Sequence, residues 1–168
     1  TRADYDVEGL IKLLKDFKTR YPHLEVYMEP GEAVGWQTGY LVATVLDIVN
    51  NGMDLVLLDT SAEAHMPDTL AMPYRAMIRG SGIASEKKYT YRLGGNTCLA
   101  GDIIGDYSFD EPLKIGDKII LEDMIHYTMV KTTTFNGIKL PSIVIKTKEN
   151  RYKIVKNFGY NDYKMRLS

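Results

Sequence analysis

The sequence predicts a mainly β protein, a barrel or sandwich, preceded by a helix and a strand in the grammar of an α/β barrel. Three observations predict it. Short alternating apolar runs separated by turn signals recur from residue 37 onward. Ahead of them stand one amphipathic stretch, a short alternating run and a glycine-bearing turn, the helix–strand–loop grammar of α/β barrels, whose functional loops follow the strands. Hydrophobic residues make up 45% of the 168, enough to bury a core in one domain of ordinary size.

Each element follows from local pattern. Val7, Leu10, Ile11, Leu13, Leu14 and Phe17 fall at helical spacing within residues 6–20, with lysines on the other face. Asp4 or Asp6 can cap the start, and Pro22 follows the end. His23 to Met28 then alternates as a strand. The boundary falls near residues 30–40, giving a first segment over 1–36 and a β domain over 37–168. Tyr40–Val49 and Met53–Thr60 read as strands joined by Asn51-Gly52, a favoured two-residue turn. His65 to Arg75 reads as helical or irregular, and Arg79 to Ile83 as loop. Strands follow at 88–93, 102–109, 118–121 and 127–134. A last hairpin pairs 142–147 with 152–157 around Glu149-Asn150.

Charge and composition exclude several function classes. The 21 basic and 22 acidic residues leave a net charge of -1, with no basic stripe for nucleic acid. No apolar run approaches the ~20 residues of a membrane helix, and no secretory signal is visible, so no membrane partner is expected. The single cysteine rules out an intrachain disulfide and fits a reducing, cytoplasmic setting. A metal site is not expected: there is no His-x-x-x-His pair and no second cysteine, and Asp106 and Asp110 lack calcium-loop spacing. Neither a nucleotide-type phosphate loop nor a nucleophile elbow occurs. The chain starts Thr1-Arg2-Ala3 without methionine, which favours a fragment of a longer protein.

Several residues invite chemistry, each beside a plainer reading. Cys98 lies among glycines and small polar residues, in Leu93-Gly94-Gly95-Asn96-Thr97-Cys98-Leu99-Ala100-Gly101-Asp102. Most lone cysteines are small buried hydrophobes, but glycines allow sharp turns and close approach of a ligand. Asp102 in that stretch can steer a cationic substrate. Glu29-Pro30-Gly31 is a rigid turn presenting an acid, either solvated or set to hold a protonated ring nitrogen. Asp59, Glu63, His65 and Asp68 form an acidic loop, a solvated surface or a grip for ammonium groups. Tyr127 is one of 12 tyrosines, and its hydroxyl can touch an anion such as phosphate. Phe135-Asn136-Gly137 reads as a turn.

Taken in order, Glu29-Pro30-Gly31-Glu32-Ala33-Val34, Leu58-Asp59-Thr60-Ser61-Ala62, His65-Met66-Pro67-Asp68, Met72-Pro73-Tyr74-Arg75, Thr97-Cys98-Leu99-Ala100-Gly101-Asp102, Glu122-Asp123-Met124 with Tyr127, and Phe135-Asn136-Gly137 resemble the C-terminal part of the alanine-racemase-fold, or fold-type III, PLP-dependent decarboxylases. Within that family the match is nearest to the carboxynorspermidine and carboxyspermidine branch.

The resemblance implies a carboxy-lyase of polyamine biosynthesis that uses pyridoxal 5'-phosphate and works as a homodimer with shared active sites. It implies a C-terminal β domain preceded by the end of a TIM-type barrel. The cofactor-binding lysine would belong to a missing N-terminal barrel half. Glu29 matches the acid that pairs with the pyridine nitrogen, and Tyr127 a tyrosine on the cofactor phosphate. Cys98 matches the cysteine that crosses the dimer interface and protonates the carbanion. Asp59 and Asp102 match positions near the substrate's distal amine. Glu32 departs from the arginine that ornithine and diaminopimelate enzymes carry there. An acid at that place repels a distal carboxylate and favours a cationic polyamine precursor. Asp68 is a second acidic contact in this reading, and Arg75 holds either a carboxylate or a structural ion pair. The competing expectations are a diaminopimelate or other basic amino acid decarboxylase and a non-catalytic regulatory homologue.

Overall fold

The computed structural model describes residues 5–167, and the chain divides into two compact units between Trp36 and Gln37. In the first, helix α1 runs Val7–Arg20, with the Asp6 carboxylate accepting from the Gly9 amide at 2.8 Å as its cap. Asp4 lies outside the described residues. No residue of α1 is buried, so its apolar stripe has no covering element among the described residues of its unit. The expected strand over 23–28 is not formed. A strand exists only where a neighbour pairs with its backbone, and this segment has none among the described residues. Glu29 lies at the end of that irregular segment. A short helix α2 (Gly31–Gly35), not foreseen, then starts after Pro30, a residue suited to helix starts because its missing N–H has no partner to lose.

The second unit is built on a five-stranded sheet: β1 (Tyr40–Asn50), β2 (Asp54–Leu58), β3 (Tyr89–Gly94), β4 (Ile103–Phe109) and β5 (Lys118–Glu122), in the order β4-β3-β2-β1-β5. Only β2 and β3 run parallel; the other neighbours are antiparallel. Leu41, Ala43 and Val45 of β1 face inward. A bulge between Val45 and Asp47 then shifts the phase so that Ile48 faces inward next. The β1–β2 turn has three residues rather than two, because Asn50 pairs with Asp54 and Gly52 adopts φ 75°.

The outer strands β4 and β5 are joined through one irregular segment. Ile78 bridges Leu121 of β5, and Gly82 bridges Ser108 of β4. The sheet therefore curls around its own side chains, and Val56, Leu58, Leu93, Tyr107, Ile119 and Leu121 fill the interior. Leu58, Leu93 and Leu121 are fully buried, each worth about 2 kcal/mol of transfer free energy. Arg75 staples this closure. Its guanidinium lies 3.6 Å from the Tyr107 ring centroid and donates to the carbonyls of Gly82 (2.9 Å) and Asp106 (2.8 Å).

The sheet's connections carry short helices: α3 (Ala62–His65) and α4 (Asp68–Ala71) after β2, and α5 (Tyr127–Val130) after β5. The expected strand over 127–134 is thus a helical turn followed by irregular chain. Lys131 N–H donates to the Tyr127 carbonyl to close that turn. A 3-10 turn (Phe135–Gly137) follows, then the hairpin β6 (Ile143–Lys146) with β7 (Tyr152–Lys156). A terminal helix α6 (Tyr160–Leu167) was not foreseen, although Asp162 accepts from the Gly159 amide at 2.7 Å across its first turn. No helix among the described residues is long and apolar enough to cross a membrane.

Candidate functional site

The loops after β2, β3 and β5 meet at helix α3. Ser61 caps that helix, its hydroxyl accepting from the Ala64 amide at 3.0 Å. The same hydroxyl donates to Asp102 Oδ1 at 2.9 Å, and the Ala62 amide donates to that oxygen at 2.7 Å. Asp102 Oδ2 accepts from the Thr97 amide (3.0 Å) and the Thr97 hydroxyl (2.5 Å). The Asp102 carboxylate is 5% exposed and ties the Cys98 loop to α3. A Cβ at Gly95 would overlap this carboxylate, which is why glycine stands there. Asn96 N–H and the Thr60 carbonyl, 3.1 Å apart, add a second tie.

Cys98 sits at the apex of this locked loop and is exposed. The plainer reading, a buried apolar thiol, does not apply. Asn136 Nδ2 donates to its sulfur at 3.0 Å. The left-handed backbone of Asn136 (φ 55°) fits the turn expected at Phe135-Asn136-Gly137, but spacing gives no sign that its amide meets Cys98. The partnership of Ser61 and Thr97 with Asp102 was equally invisible.

The acidic loop is not a uniform surface. Asp59 is exposed, with Oδ1 accepting from the Thr44 amide at 2.6 Å. Glu63 is half-buried. Asp68 is buried: Oδ2 accepts from the Tyr74 hydroxyl (2.6 Å) and the Thr128 hydroxyl (3.2 Å), and Oδ1 has no hydrogen-bond partner among the described residues. Burial, then the bond to Asp68, pushes the Tyr74 phenol up to about 12, so it stays a donor at neutral pH. His65 is buried with Nδ1 3.0 Å from the Thr60 hydroxyl. Burial pushes its pKa down, partly offset by the Lys139 carbonyl and the charges of Asp102 and Asp59.

Tyr127 opens α5, 58% exposed, with Lys131 Nζ 4.7 Å from its ring centroid. Its neighbour Thr128 is the residue that binds Asp68. Arg75 is exposed and engaged with two backbone carbonyls and the Tyr107 ring, and its charge, after the Arg92 bond, helps hold the Asp106 carboxyl below the usual carboxylate range. Glu29 and Glu32 are exposed in the first unit.

The family model for the pyridoxal-dependent decarboxylase C-terminal sheet domain matches residues 5–125, and the chain belongs to that family. It is 50% identical to a carboxynorspermidine/carboxyspermidine decarboxylase of Campylobacter jejuni, over 99% of this chain and 46% of that protein. It is 48% identical to a carboxyaminopropylagmatine decarboxylase of Synechocystis, over 99% of this chain and 43% of that protein. The crystal structure of carboxynorspermidine decarboxylase complexed with norspermidine, from Campylobacter jejuni, superposes with a TM-score of 0.93 at 50% identity. That match covers 99% of this chain and 48% of the other. The chain therefore spans somewhat under half the length of these relatives.

Proposed function

We propose that this chain is the C-terminal half of a PLP-dependent decarboxylase that converts carboxynorspermidine or carboxyspermidine to norspermidine or spermidine with release of carbon dioxide. The reading places it in cytoplasmic polyamine synthesis, as a homodimer whose active sites are shared. The observation that carries it is the exposed Cys98 thiol on a loop locked by Asp102, in a chain half identical to a decarboxylase of this specificity.

The residues present suit the cofactor. A phenol exposed at the start of α5 can donate to a phosphate, and an exposed thiol on a fixed loop can deliver a proton. PLP, when bound, supplies a protonated pyridine ring that takes up the electron pair left as carbon dioxide departs. Glu29 would hold the ring-nitrogen proton and Tyr127 the phosphate. Cys98, contributed by one protomer to its partner's site, would give its S–H proton to the carbon that loses the carboxylate. Asp59 and Glu32 would attract the cationic chain of the substrate, and Asp68 offers a buried oxygen that lacks a partner among the described residues. Asp102, with both oxygens occupied, would act by holding the Cys98 loop rather than by touching an amine.

A second reading rests on the Synechocystis relative, whose identity to this chain is nearly the same. Carboxyaminopropylagmatine also ends in a cation, a guanidinium, so acidic groups alone do not separate the two. The test uses the full-length protein, including the portion that corresponds to the part of these relatives outside the match. Carbon dioxide release is measured from carboxynorspermidine, carboxyspermidine, carboxyaminopropylagmatine and diaminopimelate. The expected preference is for the first two, with diaminopimelate poorest. Preference for the agmatine compound establishes the second reading, and preference for diaminopimelate refutes both. Cys98→Ala should lower kcat by roughly 100-fold or more, the scale of losing a positioned proton donor; unchanged turnover removes Cys98 from the chemistry.

A further inference from the structure

Neither end of the bond between Asn136 and Cys98 is loosely placed. On the sulfur's side, Asp102 ties Thr97 to the Ala62 amide of α3. On the amide's side, the Thr133 N–H donates to the Ala64 carbonyl of the same helix at 2.8 Å. Gly137 N–H donates to the Thr134 carbonyl at 2.9 Å and closes the turn that carries Asn136. Two backbone groups of α3, two residues apart, therefore set the separation of sulfur and amide.

We infer that Asn136 is a positioning residue for Cys98: its amide N–H engages the sulfur and fixes the direction in which the thiol presents its proton. This rests on the reading of Cys98 as the proton donor. A cysteine at an exposed loop apex samples three staggered χ1 wells, and only some aim the S–H at a given point. The N–H of Asn136 occupies one side of the sulfur, so the S–H turns to the open side of the loop. When the proton passes to carbon, the S–H bond breaks, the C–H bond forms and sulfur keeps the electron pair. The same amide then donates to an anionic acceptor, a stronger bond than before. Sulfur stays in place until a proton from water restores the thiol.

Asn136→Gly and Asn136→Asp in the full-length protein test the assignment. Glycine accepts the left-handed backbone and has no amide; aspartate keeps the size and the turn preference but cannot donate when ionised. The readouts are kcat and KM for the preferred substrate, and the rate at which iodoacetamide alkylates Cys98 at neutral pH, followed by mass spectrometry of its peptide. Both variants should lower kcat roughly three- to tenfold, the worth of one hydrogen bond, with KM changed less than about twofold. Cys98 alkylation should change by about threefold or more, with Tm shifted by no more than about 3 °C. If Cys98→Ala abolishes turnover while both variants keep wild-type kcat and alkylation rate, the inference is overturned and the proposed function stands. If Cys98→Ala leaves turnover unchanged, the role of Cys98 falls and this inference falls with it.

Discussion

At the scale of single residues, burial gives His65 a consequence for acid stability. Its ring is almost wholly enclosed, with Thr60 at Nδ1, and its pKa lies below the ordinary 6.5. The unfolded chain takes up a proton near pH 6.5 that the folded chain resists. Stability is complete above that pH, falls as pH drops toward the folded value, and levels off below it. Urea unfolding between about pH 7.5 and pH 5 should show this decline, and a His65→Gln variant should be flatter across the same window. An equal slope in both proteins would assign the acid sensitivity to other groups. Spacing placed His65 in an acidic loop. It could not say that the ring faces inward, because orientation depends on what packs above α3.

At the scale of elements, α3 is the support on which the site is assembled. Four residues long, it cannot persist without tertiary contacts. Its cap Ser61 and its first amide both bind Asp102. Asp102→Ala leaves the Ala62 and Thr97 amides without their acceptor, so an unfolding free energy about 3 kcal/mol lower is expected by denaturant titration, together with faster alkylation of Cys98. A loss below about 0.5 kcal/mol would mean that the loop holds itself. The strands β1 to β5 were legible within a residue or two, because alternation and turn residues are local signals. The segment at 127–134 was not. Its aromatic and β-branched residues favour a strand, but Thr128 is drawn to Asp68 and Thr133 to Ala64, and these distant partners decide its path.

At the scale of the whole molecule, the two units differ in how far each is self-sufficient. The sheet unit buries a continuous apolar core; α1 buries no residue, although its pattern is that of a helix with one covered face. Leu13 of α1 is 68% exposed. In the chain of residues 1–168, amide hydrogens of α1 should exchange rapidly while those of β1, β2 and β3 remain protected. Hydrogen exchange with mass spectrometry checks this, and equal protection in α1 would show that the first unit is stable by itself.

By itself the sequence determined the helix at the start, the order of the main strands, the turn chemistry and the set of short motifs that mark a decarboxylase sheet domain. The helix, strands and turns depend on neighbours within a few positions along the chain, and the motifs on their order. Only the tertiary structure decided that Cys98 stands exposed against Asn136, that Asp102 is enclosed by Ser61, Ala62 and Thr97, and that Arg75 staples the curl of the sheet. Apart from Thr97 with Asp102 and Arg75 with Gly82, these contacts join residues more than 30 positions apart, and hydrogen-bond geometry at such separations is set by how strands register and loops close. Local pattern carries no record of that.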